Sequence, residues 1–171
     1  KNTPTLSLVI PMKNEADNIN PLFQRLFPVL RGLGLAFEVI CIDDGSTDET
    51  LEKLLQHQQA YPELTVLAFS RNFGQHAAVM AGFEQARGQW IITMDADLQN
   101  PPEEIPKLVA AFQEGYDLVG TYRESRQDPF FRKFASDMVN RLTRKISGVF
   151  LKDFGCMLRG YSCTIAKQLA R

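Results

Sequence analysis

The sequence predicts an α/β domain of three layers, with helices on both faces of a mostly parallel central sheet. Two observations carry this expectation. Short, β-rich apolar runs alternate along the whole chain with longer segments of helical periodicity, and that alternation is the signature of parallel strands joined by crossover helices. In addition, each of the first four runs is followed at once by a polar cluster. If the strands are parallel, these clusters share one rim, where ligands bind in open α/β sheets.

The elements follow in order. The strand candidates are Leu6–Ile10, Phe37–Ile42, Leu64–Phe69, Trp90–Met94 and Tyr116–Thr121. Between them, 15–33, 46–60, 75–86 and 102–113 carry apolar residues at three- and four-residue spacing. Ser46 and Glu49 fit a capping box opening the second helix, and Pro101-Pro102 suits the first turn of the fourth. After Thr121 the character changes. Residues 123–145 hold seven basic residues (Arg123, Arg126, Arg132, Lys133, Arg141, Arg144, Lys145) against three acidic ones, a local charge of +4. Within this stretch and just beyond it, Phe131, Phe134, Met138, Leu142, Ile146 and Val149 recur as on one helix face.

Composition bounds the rest. With 171 residues, 44% hydrophobic and 23% charged, the chain can bury one core without staples. A formal charge of −1 and a pI near 6.2 supply no field to draw in nucleic acid, so any anionic partner must be held by a local cluster. Cys41, Cys156 and Cys163 form an odd set without metal-ligand spacing, which fits a reducing cytosol. There is no run of about 18 apolar residues and no charged-then-apolar leader. The missing initial Met and the ending within a helical pattern lead us to expect a soluble fragment of a longer parent.

The rim carries the chemistry. It comprises Pro11-Met12-Lys13-Asn14-Glu15, Asp43-Asp44-Gly45-Ser46, Arg71-Asn72-Phe73-Gly74 and Asp95-Ala96-Asp97-Leu98-Gln99. In an extended segment Asp95, Asp97 and Gln99 point to one side. Two carboxylates and an amide oxygen that leave room for a diphosphate suit Mg²⁺ or Mn²⁺ bridging substrate phosphates. The alternative for this Asp-x-Asp is a turn and cap. Of Asp43 and Asp44, one is expected to end the strand and cap the following helix. Because adjacent carboxylates repel, at least one is expected to bind a base or ribose. Arg71 and Asn72 read equally as ligand contacts or a solvated turn. His76 reads as a structural histidine or cap rather than a catalyst.

Taken together, Val9-Ile10-Pro11 with Asn14-Glu15, Asp43-Asp44-Gly45-Ser46, Arg71 to His76, and Asp95 to Pro102 resemble the inverting family 2 glycosyltransferases of GT-A fold, over nearly the whole chain. Gln99 to Pro106, Arg126-Gln127-Asp128 and Asp153 to Arg159 are similar to the polyprenyl-phosphate branch of that family, which includes dolichol-phosphate mannose synthase and the lipid A-modifying arabinosyl transferases. The resemblance implies a single catalytic domain, with 1–121 binding nucleotide-sugar and metal and 122–171 on the acceptor side. It implies that Pro11, Glu15, Asp43 and Asp95 surround a uridine nucleotide while Asp97 and Gln99 hold the metal against the diphosphate. It also implies a parent anchored at the cytoplasmic face of the inner membrane by helices beyond this chain. Homo-oligomerisation is left open.

The expected reaction moves a sugar from a UDP-sugar to a polyprenyl phosphate. Asp153 is the candidate base or acceptor-orienting residue, and a loop cap before Gly155 is its other reading. Arg123, Arg126, Arg132 and Lys133 match phosphate oxygens. The segment 129–150 fits equally a helix lying on anionic lipid and one packed on the sheet. Rival readings are a soluble transferase acting on a glycan or protein hydroxyl, and a catalytically silent nucleotide-sugar-binding module. A nucleotidyltransferase would show a Gly-rich loop after its first strand, where Met12-Lys13-Asn14-Glu15 stands instead.

Overall fold

The computed structural model describes residues 3–121 and 157–170. Six strands, β1 (Leu6–Met12), β2 (Phe37–Asp43), β3 (Leu64–Ala68), β4 (Trp90–Thr93), β5 (Leu118–Gly120) and β6 (Arg159–Ser162), form one sheet in the order β3-β2-β1-β4-β6-β5. The first four are mutually parallel, and β6 runs antiparallel to both β4 and β5. The helices are α1 (Ile19–Gly32), α2 (Thr50–Ala60), α3 (Gln75–Gln85), α4 (Ile105–Gln113), which follows a 3₁₀ turn at Pro102–Glu104, and α5 (Cys163–Leu169). The three-layer architecture matches the sequence expectation.

Strand β1 shows why the sheet sits in the middle. All seven of its residues are buried. Leu6, Leu8, Ile10 and Met12 join Ile19, Phe23, Phe27 and Ile105 in a core under α1 and α4, while Val9 joins Ile40, Val79 and Phe83 under α3. The period-2 alternation of side chains thus feeds two cores from one strand. Gly82 lets α3 lie close, because a Cβ there would overlap the Val9 side chain. Cys41 belongs to the first core, and burial pushes its thiol far up, so it is packing rather than a nucleophile.

At the amino end of the sheet, a buried polar knot was not legible in the sequence. The Ser7 hydroxyl donates to Glu38 Oε1 at 2.6 Å and accepts the Gly88 N–H at 2.8 Å. Glu38, 5% exposed, also receives the Arg87 backbone N–H at 2.8 Å and the Arg87 guanidinium. Glu38→Ala would strand buried donors, while Arg87, being largely exposed, would turn to water. We expect a loss of about 2–3 kcal/mol in urea unfolding, with nucleotide affinity unchanged because the knot lies at the opposite end of β1 from the rim.

Helix α2 begins later than the capping box implied. Ser46 and Glu49 do not cap it; the Ser46 hydroxyl instead accepts the Asn14 N–H at 2.9 Å. Glu49 stands at the N-cap position without a side-chain bond, and Asp48 just before it accepts the Thr50 N–H at 3.0 Å and the Ala16 N–H at 3.3 Å. Helix α1 likewise starts at Ile19 rather than Glu15, after a turn closed by Asn18 N–H on the Glu15 carbonyl.

Where α2 meets α1, partial burial beside Phe23 and Tyr61 depresses the His57 pKa from 6.5. The unfolded chain therefore binds a proton more readily than the folded one. Stability is full above the unfolded value and falls as pH drops through it toward the lower folded value. Urea midpoints measured from neutral pH downward through 6.5 should show an acid loss that His57→Gln reduces.

Candidate active site

The chain reverses direction across the sheet between β1 and β4: α1 leads outward to β2 and β3, and α3 returns the chain to the other side of β1. This is the switch point at which α/β sheets bind ligands. A cavity of about 480 Å³ lies there, lined by Pro11, Met12, Lys13, Glu15, Asp44, Asn72, Gly74, Gln75, Asp95, Ala96 and Asp97. All four sequence-predicted polar clusters contribute to it.

Backbone-to-side-chain bonds tie the clusters together. Asn14, with a left-handed φ of 55°, accepts the Thr47 N–H on its side chain at 2.9 Å, and Glu15 N–H donates to Thr50 Oγ1 at 2.8 Å. Asp44 is 4% exposed; its two carboxylate oxygens accept the Phe73 N–H at 2.7 Å and the Gly74 N–H at 2.9 Å, which anchors the loop after β3. Gly45, at φ 64°, packs directly on the Arg71–Asn72 peptide. Gln75, the first residue of α3, donates to Asp95 Oδ1 at 2.8 Å.

The loop after β4 bends rather than extending. Met94 N–H still pairs with the Val9 carbonyl; then Asp97 Oδ1 accepts the Gln99 N–H at 3.0 Å and Leu98 adopts φ 61°. A left-handed leucine costs about 1–2 kcal/mol, offset here by packing of its side chain against the main core. Of the described residues, only Asn14 and Leu98 combine a side chain with positive φ, and both belong to the rim. Such conformations gather where a site dictates the backbone.

The structure therefore brings together Pro11, Glu15, Asp44, Asn72, Asp95 and Asp97, and leaves Asn14, Asp43, Arg71 and Gln99 outside the cavity wall. Asn14 serves the turn above. Asp43 is buried, with its carboxylate toward the Ser46 N–H at 3.3 Å. Asp43 thus closes the turn after β2 without capping α2, contrary to the expected helix cap, and of the two aspartates Asp44 is the one that lines the cavity. Arg71 stacks over the Phe73 ring, 4.9 Å from its centroid. Gln99 is exposed past the bend, and the bend is the reason Asp95, Asp97 and Gln99 do not share one extended side. Met12, Lys13, Gly74, Gln75 and Ala96 join the wall without having been assigned a role from sequence. Their signal was position alone, immediately after a strand or at a helix start. Arg123, Arg126, Arg132, Lys133, Asp153 and the whole of the 129–150 helix candidate fall within 122–156, outside the described residues.

Electrostatics narrows what the cavity can take. Four carboxylates (Glu15, Asp44, Asp95, Asp97) face it, against one cation, Lys13, among the described residues. Like charges gathered at one cavity repel one another and any further anion. A bare diphosphate would be repelled. Among the described residues, no cluster of three or more His, Cys, Asp or Glu side chains forms a ready-made metal cage. Mg²⁺ or Mn²⁺ shared with a substrate diphosphate needs only one or two carboxylates, and Asp95 with Asp97 supplies hard oxygens of that kind.

A sheet of this order with an acidic cavity at its switch point defines a GT-A α/β domain. The chain belongs to Glycosyl transferase family 2, whose family profile matches residues 7–169. Solved structures of similar fold include glucosyl-3-phosphoglycerate synthase from Mycobacterium tuberculosis in complex with Mn²⁺, UDP and phosphoglyceric acid, at TM-score 0.75 and 21% identity over 95% of this chain and 57% of that one. A mannosyltransferase from Pyrobaculum calidifontis in complex with GDP-Man and Mn²⁺ gives TM-score 0.67 and 19% identity over 99% and 47%. TarS 1-349 of S. aureus gives TM-score 0.62 and 21% identity over 96% and 48%. The chain thus spans about half the length of these proteins.

Proposed function

We propose that this domain transfers a sugar, with inversion, from a UDP-sugar to a polyprenyl phosphate, undecaprenyl phosphate in particular, at the cytoplasmic face of the membrane in cell-envelope or lipid A modification. The observation that carries the donor half is the acidic lining of the cavity at the β1–β4 switch point, where a divalent cation would have to accompany a nucleoside diphosphate. Related folds crystallised with Mn²⁺ and UDP or GDP-Man support the same donor chemistry. The acceptor half rests on the likeness of Gln99–Pro106, Arg126–Asp128 and 153–159 to undecaprenyl-phosphate 4-deoxy-4-formamido-L-arabinose transferase. Among the described residues no helix is long and apolar enough to cross a membrane, so a membrane location would depend on other parts of the protein.

Asp95 and Asp97 would hold the cation, which when bound neutralises charge growing on the departing diphosphate. Gln75 holds the Asp95 carboxylate, and the Asp97 turn fixes the second carboxylate beside it. Pro11, Glu15, Asp44 and Asn72 belong to the rest of the wall, where the nucleoside would lie. Catalysis then consists mainly of positioning and charge stabilisation. An acceptor phosphate oxygen bonds to the anomeric carbon as the bond from that carbon to the UDP oxygen breaks, the electron pair leaving with UDP. A phosphate acceptor is already ionised near neutral pH, so no base has to remove a proton. If Asp153 takes part, its task is to orient the acceptor.

The test is UDP release by the full-length protein from a panel of UDP-sugars, with and without Mn²⁺, with undecaprenyl phosphate in detergent or soluble acceptors. Release that needs both metal and lipid phosphate supports the proposal. Equal turnover on a soluble hydroxyl acceptor would overturn the acceptor half, and nucleotide binding without turnover on any acceptor would point to a silent module.

A further inference from the structure

The bend that carries Asp97 is held on both sides, and one of the holds is an ion pair outside the donor cavity. Upstream, the Met94 N–H makes the last ladder bond to the Val9 carbonyl; within the bend, the Leu98 side chain packs on the main core although its φ is 61°. Downstream, Pro101-Pro102 leads into the 3₁₀ turn, where Pro102 is buried and the Glu104 N–H bonds the Pro101 carbonyl at 3.1 Å. From that turn Glu103 meets Arg25 of α1 in a fork: Nε donates to Oε1 at 3.0 Å and Nη2 to Oε2 at 2.7 Å.

The two side chains are 41% and 51% exposed, and ion pairs so exposed add little to stability. Nor is the fork needed to join α1 to α4, since Phe23, Leu26, Ile105 and Leu108 already share the main core. What it fixes is the loop between β4 and α4. Two consecutive prolines have fixed φ, so few free torsions separate Glu103 from the strained Leu98, and strained backbone persists only where its surroundings over-determine it. We propose that Arg25 and Glu103 are positioning residues that hold the Asp97 bend ready for the cation. Neither lines the cavity. Each acts through the fraction of molecules whose bend is competent to bind, and a fall in that fraction raises the apparent dissociation constant in proportion. Arginine suits the task because a fork fixes orientation as well as distance. The proposal rests on the donor reading of the cavity.

Arg25→Met and Glu103→Gln, each alone, and the exchanged pair Arg25→Glu with Glu103→Arg test it in the full-length protein. The Mn²⁺ concentration for half-maximal UDP binding is read by calorimetry, exchange of the Gln99 amide in metal-free protein by NMR, and the fold by thermal melting. Gln99 is the reporter because its N–H is the one that Asp97 accepts. Each single variant should raise the Mn²⁺ requirement by about tenfold and speed Gln99 exchange, while melting close to the wild type. The exchanged pair should recover most of both losses. Single variants with unchanged Mn²⁺ requirement and unchanged Gln99 exchange, whether or not they melt lower, reduce the fork to a surface tie and overturn the proposal. An exchanged pair no better than the single variants overturns it too. If the wild type binds no UDP at any Mn²⁺ concentration, the donor reading fails instead, and Gln99 exchange in metal-free protein still decides whether the fork holds the bend.

Discussion

Asp97→Ala is expected to lower sugar transfer by about 10²–10³-fold while moving the thermal midpoint by only about 2–4 °C. The asymmetry follows from where the side chain sits. Asp97 is exposed at the cavity, and within the fold one carboxylate oxygen accepts a single N–H, from Gln99. Losing that bond costs the turn about 1 kcal/mol. In the proposed donor complex the same carboxylate would be one of two that hold the cation against the diphosphate, in a cavity that Glu15 and Asp44 also line. Without it the cation loses a hard anionic ligand and the diphosphate meets uncompensated repulsion, so the effect should fall on turnover and on the Mn²⁺ concentration needed for half-maximal rate. Activity assays across a Mn²⁺ titration, paired with thermal melts, check both halves. A variant that melts far below the wild type would show that Asp97 is a folding residue.

Gly45→Val should instead act on the fold, with a loss of about 4 kcal/mol in urea unfolding. The position demands glycine twice over. Its φ of 64° is left-handed, where a β-branched side chain is strained. An added Cβ would also run into backbone atoms, with Asn72 N at 2.6 Å, and backbone cannot swing aside as a side-chain tip can. Whatever folded protein remains should have its Arg71–Gly74 loop pushed off the Asp44 carboxylate, so nucleotide affinity falls with stability. Gly34 serves as the contrast: its φ is 66°, but nothing lies within 4 Å of an added Cβ. Gly34→Ala should therefore cost only the conformational part, about 1 kcal/mol.

The strands were legible because a parallel sheet buried on both faces leaves long apolar runs, and β1 and β2 came within one or two residues of their expected ends. Strand β6 was not legible. It is four residues long, half-buried apart from Gly160, and enters the sheet antiparallel between β4 and β5, a pairing that local periodicity does not encode. Gly160 shows the tertiary reason for its composition, since a Cβ there would meet the Phe112 ring at 2.5 Å. At the site, the sequence located the four clusters but could not assign roles within them. Asp43 and Asp44 are adjacent in sequence, yet Asp43 meets a partner three residues on and Asp44 a loop 29 and 30 residues away. Ser46 matched a local capping pattern and was drawn instead to Asn14, 32 residues earlier. For Asp44 and for Ser46, a long-range bond displaced the local reading.

The central claim is that the acidic cavity accepts a nucleoside diphosphate only with a divalent cation, and titration calorimetry of UDP into the protein tests it most directly. With Mn²⁺ present, UDP should bind saturably with one site per chain, and with EDTA or in Asp97→Ala binding should weaken by at least about tenfold. UDP binding of equal strength in EDTA would contradict the account, because it would mean that the four carboxylates lining the cavity do not set the terms on which a diphosphate enters.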